Sequence, residues 1–409
     1  MRGGGAAAHA PAHPRRRFVI LVWGLVPGGT LSVLRDWVPR LAERGDVSIV
    51  TLGPNRASLG VPTVTVGARG SHPFRFPHAF VYVLRMAIAA ARASRGGTPT
   101  VLMPQDSLAT GAAAAIAGLL TGARVAVMEH GSAEAVETDR FWRERTERTG
   151  PLAAMRNGLM RITLRLLNRF VLRRMDVGLV AGDDAAATYR ARGVTDDRLL
   201  RYRFGIDLDR FHPVSKAERA DARRRWGVEG ARSVVLTVGR LAPEKGVDDL
   251  IGALSGMPEG IVPHLLVVGD GPLADELERA AATAGIEATF IGRLEPDDVA
   301  SVMHAADCFV YAARRGANTP YAVLEAMASG LPVVATTAPS IHRAMLEDGR
   351  GIAVEPGDRD AVRAGIVRFI HDRPGAATAG TAARAFVEAH HSPRQADEAI
   401  DALVSRLWP

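Results

Sequence analysis

An arginine and a lysine on one glycine-bounded loop could hold a diphosphate. They occur in Val238-Gly239-Arg240-Leu241-Ala242-Pro243-Glu244-Lys245-Gly246. The apolar run ends at Val238, Gly239 lets the backbone turn, and Arg240 and Lys245 project from the following loop. An arginine forks onto two phosphate oxygens and a lysine supplies a compact charge, so the pair suits a diphosphate that leaves as an anion. Read alone, they are equally two surface cations. A second run, Val267-Val268-Gly269-Asp270-Gly271-Pro272, leads into a helical stretch at Leu273–Ala284. A glycine-rich turn at a helix N-terminus offers unpaired N–H groups and a positive dipole end. A third run opens with the polar loop Asn318-Thr319-Pro320-Tyr321 and carries Glu325 one turn into a helix that stops at Gly330. Glu325 could accept hydrogen bonds from ribose hydroxyls; its ordinary alternative is a surface glutamate.

Each of these runs needs a strand before it and a helix after it. The chain supplies both repeatedly. Strands are expected in the first half at Phe18–Val22, Val47–Thr51, Thr63–Val66, Val101–Met103, Val125–Met128 and Gly178–Val180. In the second half they are expected at Ser233–Val238, His264–Val268, Ala288–Ile291, Cys308–Tyr311 and Val333–Ala335. Ala/Leu/Arg-rich helical stretches, among them Leu31–Arg44, His78–Arg95 and Gly158–Arg174, lie between them. Strands alternating with helices imply parallel sheets of βαβ units. The pattern restarts after Phe211-His212-Pro213, and 409 residues suit two domains. In open parallel sheets, ligands bind beyond the carboxyl ends of the strands, where these glycines fall. The expected fold class is therefore α/β, with two Rossmann-like domains facing a central cleft.

The three runs in this order resemble the C-terminal domain of the family 4 glycosyltransferases of GT-B architecture, over residues 233–357. That family reads VGRL-PEKG, then VGDGP, then EGFG---LEAMA-G-PVVA. Pro27-Gly28-Gly29-Thr30 before a helix resembles its glycine pair, and Gly205-Ile206-Asp207-Leu208-Asp209-Arg210-Phe211-His212-Pro213 its NGVD--RF-P segment. The resemblance spans roughly residues 18–400 and is thin between 53 and 175. It implies a retaining, metal-independent transferase. Arg240 and Lys245 would clamp the diphosphate of a nucleotide-sugar donor, Glu325 would hold its ribose, and Gly28 and Gly29 would admit the phosphates. Gly269 and the loop amides of Asn318, Thr319, Pro320 and Tyr321 would line the donor. Arg293 and Leu294 would border the nucleobase. His130, in Met128-Glu129-His130-Gly131, would stand near the transferred sugar. The implied organisation is a disordered tail at 1–16, an acceptor domain at 17–210, a donor domain at 211–386, and a helix at 387–409 returning to the first domain.

One departure bears on the sugar. The family carries a second glutamate eight positions before the ribose-binding one, and that position is Ala317 here. The pair Asp207 and Asp209 imitates a metal-binding motif but falls in the interdomain segment, and two cations already serve the diphosphate. No metal and no cofactor are expected beyond the nucleotide sugar as substrate.

The rest of the chain bounds partners and location. A lone Cys308 in an apolar run is expected to be a buried core residue in a reducing, cytoplasmic setting. Met1 to Arg17, rich in Gly, Ala, His and Pro, reads as a tail and not as a secretory signal. Leu108–Met128 reads as a helix and a strand, because its glycines and Arg124 interrupt any bilayer span. The Ala/Arg/Gly-rich usage hints at a GC-rich bacterial genome. Between Thr138 and Arg174 stand ten arginines and three acids, an excess equal to the +7 of the whole chain. That stretch could lie on an anionic membrane and favour a lipid acceptor. It could equally be a helix with a solvated arginine face, which leaves a small polar acceptor as the leading expectation. Nucleic acid is not expected, because no nucleic-acid module accompanies the basic stretch. A sugar-nucleotide epimerase, a phosphorylase and a non-catalytic nucleotide-sugar binding protein share the architecture and stay open.

Overall fold

The computed structural model of the chain describes residues 16–25, 29–67, 78–129, 151–258, 260–315, 321–338 and 341–409. The first half holds strands β1 (Arg16–Val22), β2 (Gly45–Thr51), β3 (Thr63–Thr65), β4 (Thr100–Pro104), β5 (Arg124–Met128), β6 (Val177–Val180) and β7 (Leu199–Arg201). Helices α1 (Gly29–Arg44), α2 (His78–Ala93), α3 (Ala109–Thr121), α4 (Pro151–Arg174) and α5 (Asp183–Ala191) connect them. The second half opens with α6 (Lys216–Arg225) and continues through β8 (Val234–Val238), α7 (Val247–Ser255), β9 (His264–Val268), α8 (Ala274–Thr283), β10 (Ala288–Gly292) and α9 (Pro296–Ala305). There follow β11 (Cys308–Tyr311), α10 (Tyr321–Ala328), β12 (Val333–Thr336), α11 (Ile341–Leu346), β13 (Ile352–Val354), α12 (Arg359–His371), α13 (Arg373–His390) and α14 (Pro393–Leu407).

Among the described residues the strands form two sheets, ordered β3-β2-β1-β4-β5-β6-β7 and β10-β9-β8-β11-β12-β13. Every pairing is parallel. Both sheets reverse direction at the same place, between β1 and β4 and between β8 and β11, which is where such folds open a crevice. The central strands are continuous apolar runs because helices cover both faces; β4 and β11 are buried along their whole length. Cys308 is buried in β11, and its thiol is pushed up by desolvation.

The two halves share a core. One apolar cluster runs from Phe18 and Trp37 through Tyr202, Phe204 and Phe211 to Leu236 and Phe309. The chain crosses between the halves at residues 202–213 and again at His391, where the Ile206 amide donates to the His391 carbonyl at 2.7 Å. The buried His391 ring is pushed down to about 4 by desolvation, so it stays neutral while pairing with the Phe204 carbonyl. Beyond it α14 packs on α1: Arg40 and Arg44 both pair with Asp397, and Arg44 Nε reaches Asp401 at 2.7 Å.

Three details differ from the sequence expectation. Strand β1 begins at Arg16, so Arg16 and Arg17 belong to the sheet and not to a tail. Arg17 Nη1 donates to the Ala93 carbonyl at 2.8 Å, which anchors the strand to the end of α2. Helix α4 begins at Pro151 rather than Gly158; proline suits a first turn, and one interior glycine costs only about 1 kcal/mol. Strands β7 and β13, three residues each, were too short to show any alternation.

Candidate functional site

The carboxyl ends of β8, β9, β10 and β11 gather the predicted donor residues. Arg240 and Lys245 follow β8, Gly269 follows β9, Arg293 and Leu294 follow β10, and Tyr321 opens the helix after β11. The loops are knitted by backbone bonds: Gly239 N to Val268 O at 2.9 Å, Gly269 N to Gly292 O at 2.7 Å, and Leu241 N to Asp270 O at 3.0 Å. Gly269 has φ 139°, and a Cβ there would stand 1.8 Å from the Gly239 carbonyl oxygen. Only glycine lets these two loops approach so closely.

The electrostatics of this edge differ from the rest of the molecule. Elsewhere acids neutralise arginines: Asp307 receives Arg219, Arg223 and Arg373, and the buried Asp249 receives Arg314 and Arg359. Arg240 is exposed and Lys245 half-buried, and neither has an acidic partner among the described residues. Lys245 is held instead by a neutral group. Its Nζ donates to the Tyr311 hydroxyl at 2.7 Å, across the β8/β11 reversal. Two positive charges are thus left available where a ligand would bind.

Arg314 fixes the same region from beneath. Its Nε meets Asp249 at 2.6 Å and its Nη2 meets Asp248 at 2.5 Å, while its backbone N donates to the Glu244 carbonyl at 2.9 Å. The segment that follows β11 is therefore tied to the turn that presents Lys245. Sequence reasoning did not single out Tyr311 or Arg314. The polar end of the apolar run Cys308–Tyr311 was the available signal for the first. For the second there was none, since its partners lie more than sixty residues away.

Glu325 lies half-buried in α10, and desolvation raises its carboxyl to about 7, with Arg210 as the opposing influence. Its backbone carbonyl accepts from Ser329, while the carboxyl has no hydrogen-bond partner among the described residues, so its acceptor capacity is open. Tyr321 packs on Phe204 at 4.9 Å between ring centroids, and its buried hydroxyl has no hydrogen-bond partner among the described residues. Arg293 sits 3.8 Å from Asp270. Gly29 is the first residue of α1, exposed, with open space where a side chain would be.

The first domain brings its own strand ends to this edge. Arg35, two turns into α1, meets Glu295 of the second domain at 3.1 Å, and Arg210 meets Asp297 at 2.8 Å. Between β4 and β5, buried Glu129 accepts from the Ser107 backbone N at 3.0 Å and from its hydroxyl, and Asn168 Nδ2 donates to Ser107 O at 3.1 Å. His130, Gly28, Ala317, Asn318, Thr319 and Pro320 lie outside the described residues. Asp207 caps a turn, accepting from the Arg210 backbone N at 3.0 Å, which is a structural use of the pair that imitated a metal motif. Among the described residues no three His, Cys, Asp or Glu side chains converge, and no helix is long and apolar enough to cross a membrane.

The family model for Glycosyltransferase Family 4 matches residues 27–210, and the model for Glycosyl transferases group 1 matches residues 218–386. The chain belongs to the family 4 glycosyltransferases. The two matches meet in the segment where the chain first crosses between the sheets. The GT-B fold is shared with the Anabaena protein HepE in complex with UDP-glucose, at a TM-score of 0.75 and 17% identity, over 95% of this chain and 99% of that one. A GDP-mannose-dependent monoacylated alpha-(1-6)-phosphatidylinositol monomannoside mannosyltransferase of Corynebacterium glutamicum is 33% identical over 46% of this chain and 51% of its own length. Mannosylfructose-phosphate synthase of Agrobacterium fabrum is 34% identical over 41% of this chain and 39% of its own. This GT-B chain thus matches about half of the length of the first curated relative and less of the second.

Proposed function

We propose that this family 4 glycosyltransferase moves a glycosyl residue from a nucleoside-diphosphate sugar to an acceptor hydroxyl, with retention of anomeric configuration and without a metal ion. The observation that carries the reading is the pair of unneutralised cations, Arg240 and Lys245, at the β8/β11 reversal. Charge builds on the departing diphosphate in the transition state, and preorganised donors aimed at it supply a large share of catalysis. Lys245 and Arg240 meet that charge, and Glu325 accepts from the ribose hydroxyls. Gly29 and the N-terminus of α1 face the phosphates, and the backbone N–H groups of Asn318, Thr319 and Tyr321 add donors. Arg293 and Leu294 border the base, and His130 contacts the sugar. The leaving phosphate takes the acceptor's proton, so no separate base is assigned. Closure of the two domains excludes water and limits donor hydrolysis.

Two acceptor classes fit this chemistry. The Agrobacterium relative's name points to a small phosphorylated sugar, and the Corynebacterium relative's to an acylated inositol lipid. The exposed apolar residues of α4 favour the second.

The test is thermal unfolding in the presence of UDP, GDP, ADP or dTDP. A diphosphate at 100 times its dissociation constant should add about 2.7 kcal/mol to the wild type and much less to Lys245→Ala. No stabilisation by any of the four overturns the reading. Turnover of the matching nucleotide sugar without acceptor would mark an epimerase, and binding without turnover a non-catalytic protein. A finer test concerns Tyr311. Tyr311→Phe removes the hydrogen bond to Lys245 and keeps the ring, so kcat should fall about tenfold with donor KM little changed. An unchanged kcat would show that Tyr311 does not orient the lysine.

A further inference from the structure

Ten of the twelve large apolar side chains that stand exposed among the described residues lie on α2, α3 and α4. These helices form the layer over one face of the first sheet, sharing a core with Val19, Leu21 and Leu102. The opposite face, under α1 and α14, carries none of the ten. On α4, Met155, Leu159, Ile162 and Leu166 follow the spacing of a single helix face, and each is more than half exposed. Phe80 and Leu84 add to the same layer from the first turns of α2.

Charge follows the same division. Helices α2, α3 and α4 contain eight arginines and no Asp or Glu. Arg85, Arg92, Arg165, Arg169 and Arg173 are exposed, with no ion pair among the described residues. Arg169 and Arg173 continue the line of the α4 apolar row toward the end of the helix. The arginines of α1 facing α14 are, by contrast, paired with acids. A merely solvated arginine face needs no aliphatic row, and a nucleic acid held by the arginines would leave that row uncovered.

Asn168 of α4 bonds Ser107 just past the carboxyl end of β4. The part of α4 before Asn168 is about 25 Å of helix, and Asn168 ties it to the carboxyl edge of the first sheet.

We propose that this three-helix layer docks the protein on an anionic lipid bilayer. The aliphatic row enters the headgroup boundary and the arginines meet the lipid phosphates. The docking presents a bilayer-borne acceptor hydroxyl at the mouth between the domains, and so rests on the transferase reading.

Vesicle flotation tests the docking. Wild-type protein is expected to float with phosphatidylglycerol–phosphatidylcholine vesicles, not with pure phosphatidylcholine, and to be released by high salt. The double variant Leu159→Ser/Ile162→Ser should bind at least about tenfold less. Arg165→Gln/Arg169→Gln, which leaves the apolar row intact, should lose about fivefold per arginine. Both variants should keep the wild-type melting shift with the nucleoside diphosphate, which shows that they fold. Wild-type protein that stays unbound, or variants that float as well as wild type, would overturn the proposal. So would a wild-type dimer that Leu159→Ser/Ile162→Ser separates, because the face would then be a contact between copies. A melting shift without flotation sinks the docking alone; flotation without a shift sinks the transferase reading alone.

Discussion

Replacing Lys245 by alanine should lower kcat about a hundredfold while leaving the protein folded. The lysine makes one side-chain hydrogen bond, to the Tyr311 hydroxyl, and has no acidic partner among the described residues, so its loss strands no buried charge. What is lost is a cation held in advance at the place where the leaving diphosphate gathers charge, an effect of about 3 kcal/mol. Because that charge is greatest in the transition state, kcat should fall more than donor affinity. Lys245→Arg should recover part of the rate, since it restores charge without the geometry of the bond to Tyr311. A kcat within about threefold of wild type in Lys245→Ala would remove the lysine from the chemistry.

Glu325→Gln should stabilise the empty protein at pH 8 and weaken its hold on the donor. The folded protein raises this carboxyl from 4.5 to about 7 by burying it. As pH rises past 4.5 the unfolded chain releases the proton first, so folding stability is highest at low pH and declines through the folded value near 7. By pH 8 the loss reaches at most about 3 kcal/mol. Glutamine cannot ionise, so the variant should show a higher Tm at pH 8 and a flatter pH dependence between 5 and 8. The same carboxylate has room to accept ribose hydroxyls, and a charged acceptor is worth about 1.5–3 kcal/mol, so donor KM should rise tenfold or more. In the wild type, the intact nucleotide sugar should bind about tenfold more weakly at pH 6 than at pH 8, because the ionised form is the one that accepts both hydroxyls. Calorimetric unfolding and donor titration at the two pH values measure both effects. Equal pH slopes for wild type and variant would show that Glu325 is not the titrating group.

A poorly solvated carboxyl that costs stability is what a binding site would keep, and the two measurements on Glu325→Gln test that reading. Arg314 is the contrasting case. It is satisfied by Asp248 and Asp249 and serves to hold the loop that presents Lys245.

Much of the fold was legible in the residues themselves. Strand runs such as Val234–Val238 and Val333–Thr336 are short, mostly apolar and β-branched, and glycines follow Val238 and Val268 where two of the strands end. Those features are local, so backbone chemistry dictates them: Gly269 must be glycine because two loops touch there. The family motif likewise named Arg240, Lys245 and Glu325 without any coordinates. The sequence could not state which cations lack acids, since Asp307 draws its arginines from α6 and α13, parts of the chain more than sixty residues away. Nor could it show that Tyr311 orients Lys245, because that bond crosses from β8 to β11. The arginines of α4 were visible as a run, and their meaning was open. Only the packing of α2, α3 and α4 into one layer, with no Asp or Glu on any of them, decided which face stayed bare. Charge pairing and burial are properties of neighbours in space, and in a parallel sheet neighbours in space are seldom neighbours in the chain.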